Sequence, residues 1–322
     1  MNRSATKLTS RHLTRRSWIA RHPVAAYLLL ACGITWLCWM PALAVATRHG
    51  YLLPTIDHFV EFVKSGFTDQ THVLVVTIFT LAVYGPLMAA LIVTRATSGA
   101  TGVAALWHRI TRWRVAWRWY LIVVLISMAL AIVPFLLITA TGLAGFDRSG
   151  LMALAPFIAP LLLWQLLTSG LGEEPGWRGL LLQRLQARFG GEKHVWLLGL
   201  AWAAWHYPFT AWYTASSMVG MPASTMIVPI VLALAGHTMS LIGLTYIYVW
   251  LINRTGSVFL AILFHALANV ANAVMLAAIA RPEPPITLMV AFMPWLVVIV
   301  MTRVLGKDRF PGRPGLPARD RQ

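Results

Sequence analysis

The stretch LMALAPFIAPLLLWQLLTSGLGEEPGWRG, residues 151–179, decides the fold class. Leu151 to Leu167 carry no charge, and then two adjacent glutamates, a proline and an arginine follow within a few residues. A membrane-spanning helix needs about 20 apolar residues. This run approaches that length and then places charge directly beside hydrocarbon.

The rest of the chain has the same character. Of 322 residues, 58% are hydrophobic and only 11% are charged. Such a chain cannot cover its surface as a soluble domain and reads as an all-α, polytopic integral membrane protein. Eight stretches approach spanning length: 24–46, 72–94, 119–141, 151–170, 195–213, 226–252, 257–280 and 286–304.

Loop charges orient this arrangement, because Lys and Arg concentrate on the cytoplasmic side. With eight spans and both termini cytoplasmic, 22 of the 26 basic residues fall on one side, and only Arg48, Lys64, Arg148 and Arg281 fall opposite. The formal net charge of +16 therefore belongs to the flanks of spanning helices beside anionic lipid. Nucleic acid is not an expected partner, because no polar domain presents a basic face. The expected organisation is a basic tail over 1–22, one transmembrane domain over 23–304 and a basic disordered tail over 305–322. A multi-pass protein of the cell membrane, contacting lipid, follows. The segment TRRSWIA before an apolar run resembles a twin-arginine leader, but a first span needs the same basic flank. The 96–118 segment, rich in Trp and Arg, reads as an interfacial loop. Cys32 and Cys38 lie six positions apart on one helix and are not expected to bridge.

Ionisable groups within a bilayer cost about 2.5–3.5 kcal/mol each on insertion scales, so each is a functional candidate. The spans contribute Glu173, Glu174 and Arg178, then His206, His237, His265 and, with them, Asn269. Glu174 and Arg178 are i,i+4 neighbours and are expected to pair. Glu173, rotated by about 100° on a helix, is left without that cation. Pro175 and Gly176 predict a kink or a helix restart. Trp202, one turn before His206, is positioned to stack on it. His265 and Asn269 share one face of their helix. At about 1.5 Å per residue, His265 lies about 12 Å, His206 about 15 Å and Asn269 about 18 Å from the cytoplasmic ends of their spans, with Glu173 toward the same face. All four can meet in one cavity in the cytoplasmic half. His237, in AGHTMS, is set outside that site.

A carboxylate with a neutral imidazole can hold and deprotonate water. A second His with an Asn can stabilise a tetrahedral oxyanion. The set suits amide hydrolysis, and Glu173, His206 and His265 could equally ligate a divalent metal such as zinc. A non-catalytic scaffold or self-immunity factor and a proton-coupled transporter are the competing classes.

Glu173-Glu174-x-x-x-Arg178, Trp202-x-x-x-His206 and His265-x-x-x-Asn269, in order on successive spans, resemble the CPBP family of intramembrane proteases. That family includes the type II CAAX prenyl endopeptidases and bacterial relatives linked to bacteriocin processing or self-immunity. The resemblance covers about residues 150–280. It implies an endopeptidase acting on membrane-associated or lipidated polypeptides. Glu173 and His206 would activate water, His265 and Asn269 would form the oxyanion site, and Glu174, Arg178 and Trp202 would support them. The family's aromatic at the second motif is usually Phe, where this chain has Trp202. Both metal-dependent and metal-free mechanisms have been argued for the family.

Overall fold

The computed structural model describes residues 17–280 and 284–306. Most of the two basic tails, including the disorder expected for the C-terminal one, lies outside the described residues. Among the described residues the protein is helical. A single isolated bridge, Phe146 with Ile279, is the only extended pairing among them.

The long helices are α1 Pro23–His49, α2 Gln70–Ala82, α3 Gly85–Ile110, α4 Arg118–Ala140, α5 Arg148–Arg188, α6 Lys193–Ser216, α7 Ala223–Thr255, α8 Val258–Ala277 and α9 Pro284–Leu305. Each of the eight expected stretches is helical. Six of these helices, α1, α3, α4, α5, α7 and α8, are long and apolar enough to cross a membrane. α1 packs along α2 and α3, α6 along α7, α8 along α4, and α9 against α7. Large apolar side chains such as Leu29, Leu37, Leu136, Leu163 and Val231 remain exposed on the outer surfaces of the helices, as a lipid-facing perimeter requires. This is a multi-pass membrane protein.

Two expectations need correction. The stretch 72–94 is not one straight helix: α2 stops at Ala82 and α3 starts at Gly85. Pro86 disfavours helical backbone just before it, and the break frees carbonyls at the end of α2. In hydrocarbon those groups must find partners within the protein. Side chains of α1 supply them: Thr35 Oγ1 donates to the Ala82 carbonyl at 2.8 Å and Trp39 Nε1 to the Phe79 carbonyl at 3.1 Å. The second correction concerns 96–118, which is not a loop throughout. α3 continues to Ile110 but turns at Gly99, whose φ of 66° is left-handed. Only 111–117 is irregular, and exposed Trp107, Trp113 and Trp117 cluster around it, the composition of an interfacial belt.

α5 positions the site. It runs unbroken for 41 residues, so Pro175 and Gly176 do not restart it. Instead the chain opens into π turns at Leu166–Gly170 and Trp177–Leu181, on either side of the Leu171–Gly176 segment that carries both glutamates. Such wide turns inside helices recur at functional sites. Gly172 and Gly176 let this segment lie against the α2–α3 break. A Cβ at Gly172 would sit 2.8 Å from the Val83 carbonyl oxygen, and one at Gly176 2.6 Å from that of Pro86. Close approach through small residues is the usual way membrane helices pack.

Candidate active site

Glu173, His206, His265 and Asn269 line one cavity of about 340 Å³. α5 supplies Glu173, α6 supplies His206, and α8 supplies the other two. Glu173 and His265 are buried, and His206 and Asn269 are partly exposed to the cavity.

Glu173 Oε2 accepts a 2.7 Å hydrogen bond from Trp202 Nε1. His206 Nε2 lies 3.9 Å from the same oxygen, too far for a direct hydrogen bond. The other ring nitrogen of His206 is committed: Nδ1–H donates to the Trp202 carbonyl at 2.9 Å. A neutral His206 therefore turns the lone pair of Nε2 toward Glu173. Trp202 stacks edge-on against His206, with ring centroids 5.9 Å apart. Its indole N–H on Glu173 is the contact that spacing did not reveal.

Glu174 and Arg178 pair as their spacing predicts, Nη1 to Oε1 at 2.9 Å, and both are fully buried. The pair reaches further than expected, because His265 Nδ1–H donates to the same Oε1 at 2.7 Å. The Arg178 guanidinium lies 3.9 Å from the ring centre of Trp202 and 3.8 Å from that of Tyr248. Among the described residues its Nε and Nη2 have no hydrogen-bond partner, and the two ring faces supply cation–π attraction instead.

Asn269 Nδ2 donates to Gln165 Oε1 at 2.8 Å. Gln165 is buried and lines the cavity. Sequence reasoning passed over it, although a glutamine within LLLWQLL is itself a signal. His237, expected outside the site, lines the same cavity, and its ring centroid is 5.0 Å from that of His206. It comes from α7, so nothing in its local sequence ties it to the others.

Among the described residues no three His, Cys, Asp or Glu side chains gather as a ligand set. Glu173 Oε2 is engaged by Trp202 and His265 Nδ1 by Glu174, so the proposed set Glu173, His206 and His265 does not converge on one point in this arrangement. Cys32 and Cys38 are unbridged.

The cavity is not confined to the level of the four expected residues. Along α8, His265 lies about 10 Å from the Val258 end, near the depth expected. From there, however, the lining runs the other way, through Asn269, Gln165 and Thr210 to Thr55, Asp57 and Tyr213. Position along single helices could not show which way the space between them opens.

The site of this many-helix membrane protein thus sets a buried carboxylate facing an imidazole across a polar-edged cavity. Residues 155–271 match the family described as type II CAAX prenyl endopeptidase Rce1-like. It is also similar to a protein of Methanococcus maripaludis named CAAX prenyl protease 2, with 30% identity over 155 residues, 46% of this chain and 50% of that protein. The chain thus matches about half the length of that relative. The matched segment contains Glu173, Glu174, Arg178, Trp202, His206, His237, His265 and Asn269.

Proposed function

We propose that the protein is an intramembrane endopeptidase that hydrolyses a peptide bond at the Glu173–His206 cavity. The observation that carries this reading is the 3.9 Å separation of Glu173 Oε2 and His206 Nε2. A water hydrogen-bonded to both at ordinary lengths of about 2.8 Å would sit between them, held by one acceptor on each side.

The chemistry then uses the protein's own groups. Glu173 takes a proton from the water as its oxygen attacks the substrate carbonyl carbon, and His206 holds the water's other hydrogen. The carbonyl π bond opens and its electron pair becomes an oxyanion. Asn269 has a second Nδ2–H beyond the one given to Gln165. His265, its Nδ1–H fixed on Glu174, offers Nε2–H when protonated. These donors would receive the oxyanion. As the intermediate collapses, the C–N bond breaks and the proton on Glu173 passes to the leaving amine. Trp202 aims the carboxylate, and Glu174 with Arg178 holds His265. The family match and the homologue's name support peptide substrates associated with the membrane, including lipidated ones.

The test is cleavage of membrane-protein or lipidated peptide pools by protein purified in detergent. General bases contribute about 10²–10⁴-fold, so Glu173→Gln and His206→Ala should each lose at least two orders of magnitude in rate. Full activity in both variants would overturn the assignment.

A further inference from the structure

The direction of the cavity, together with the charge on the two faces of the molecule, identifies the side from which this site is served. One face is defined by contacts between loop ends. Arg21, His22, Arg184 and Arg188 surround one recess; Arg184 Nη2 donates to Thr97 Oγ1 at 2.8 Å, and Ser257 Oγ donates to the Arg112 carbonyl at 2.6 Å. The arginines at 95, 109, 112, 114, 118 and 254, and Lys193, lie on helix ends and turns at the same face, against Glu192 alone as an acid among the described residues. The opposite face is defined as clearly. Asp147 N donates to the Ala278 carbonyl at 2.8 Å, and Ile56, Asp57, Gly150, Tyr213 and Ala277 surround a second recess of about 600 Å³. Its described charges are Arg48, Lys64 and Arg148 against Asp57, Glu61, Asp69 and Asp147. The positive-inside tendency assigns the first face to the cytoplasm.

The lining of the active-site cavity runs toward the second. On α5 its lining residues are Trp164, Gln165, Thr168, Ser169 and Glu173, and none follows Glu173. On α6 the lining begins at Trp202 and ends at Tyr213, and on α8 it begins at His265. Ile56, Asp57 and Tyr213 also belong to the 600 Å³ recess, which continues the cavity at that face. Tyr213 OH donates to Asp57 Oδ2 at 2.6 Å across the rim. Toward the basic face the floor is packed protein: Glu174, Arg178, Trp177, Leu181 and Leu182 have 0–1% of their surface exposed.

We propose that the substrate of this site is a polypeptide segment presented on the non-cytoplasmic side of the membrane, either an exported peptide or the outward-facing end of a membrane-spanning chain. A cytosolic C-terminal segment would meet the Glu174–Arg178 floor and not the cavity. The identity of the occupant as substrate rests on the endopeptidase reading; the direction of access does not.

Single cysteines placed in a Cys32→Ala, Cys38→Ala background test it. Asp57→Cys marks the rim, Thr210→Cys the cavity wall and Gly190→Cys the basic face, where a side chain meets nothing within 4 Å. A membrane-impermeant maleimide is added to sealed right-side-out vesicles. Asp57→Cys and Thr210→Cys should label at least tenfold faster than Gly190→Cys, with the order reversed in inverted vesicles. Should Asp57→Cys disturb the rim, Ile56→Cys reads the same face. Preferential labelling of Gly190→Cys in right-side-out vesicles, or equal labelling of all three, overturns the proposal. Cleavage assayed on the Cys32→Ala, Cys38→Ala parent with Glu173 intact separates the two readings: labelling as expected without cleavage removes the enzyme and leaves the direction standing.

Discussion

Trp202 and Glu173, on α6 and α5, are joined by a 2.7 Å indole-to-carboxylate hydrogen bond inside the protein. The same Trp202 accepts the His206 Nδ1–H on its backbone carbonyl. One residue thus orients both partners of the proposed water site. Trp202→Phe keeps an aromatic ring for Arg178 and His206 and removes the donor to Glu173. Hydrogen bonds to charged groups contribute about 1.5–3 kcal/mol, so kcat should fall about tenfold or more while KM changes little. Steady-state cleavage of one defined peptide measures both, and an unchanged kcat would show that the bond does not orient the carboxylate during turnover.

Asn269 and Gln165 make a second pair across helices. Asn269→Ala removes a donor from the proposed oxyanion site and should lower kcat about 10²–10³-fold, as loss of such donors does elsewhere. Gln165→Ala leaves that donor present but unsteered, so a smaller loss is expected. Equal losses in the two variants would mean that Asn269 acts only through its fixed position.

Arg178→Ala strands Glu174 in a dry interior. Breaking a buried pair from one side costs about 3–5 kcal/mol, and here His265 loses its anchor geometry as well. The variant should be poorly folded, seen as a large fall in Tm in detergent. Arg178→Lys cannot span both ring faces as a planar group and should recover only part of the loss.

Gly176→Ala places a methyl group 2.4 Å from the Tyr27 hydroxyl and 2.6 Å from the Pro86 carbonyl oxygen. Overpacking of this kind costs about 1–3 kcal/mol. Gly33→Ala on α1, where an added Cβ meets nothing within 4 Å, is the control and should leave Tm unchanged or slightly raised.

Asp69 caps α2 through the His72 backbone N–H at 2.8 Å and accepts from the Tyr51 hydroxyl at 2.7 Å. The Tyr51 hydrogen bond first, then the His72 N–H, hold its carboxyl below the usual range. A depressed folded-state pKa stabilises the fold above the unfolded value of about 3.9 and loses that contribution as the pH falls through the lower folded value. Proteolysis of the segment before α2 should accelerate on acidification below about pH 4, and Asp69→Asn should flatten that dependence.

Local spacing carried much of this architecture. Apolar runs located the helices because hydrocarbon demands that length of any spanning segment. The Glu174–Arg178 pair was legible because i,i+4 neighbours remain adjacent even when a π turn begins between them. Helical rotation separates Glu173 from the Glu174–Arg178 pair, but its partner Trp202 sits 29 positions away on another helix, and no periodicity connects them. His237 and Gln165 escaped for the same reason: a lone polar residue on α7 or early α5 becomes part of a site only when helices assemble. The break at Val83–Tyr84 was hidden because both halves are equally apolar. The direction of the cavity depends on the segment 54–57, whose position no helical count supplies.

The Glu174–Arg178 floor has an electrical consequence. With the cavity open to one side of the membrane as proposed, water would reach most of the way to His265, and the insulating layer beneath would be about 10 Å of packed α8 and its neighbours. A membrane voltage is worth about 2.3 kcal/mol per 100 mV for each charge that crosses it, and nearly all of it falls across that thin layer. The proton that Glu173 exchanges in the proposed reaction would traverse little of the field, and the site would work at the pH and potential of the compartment it opens to. The layer that does bear the voltage holds a carboxylate and a guanidinium in contact, whose charges cancel and give the field nothing net to pull.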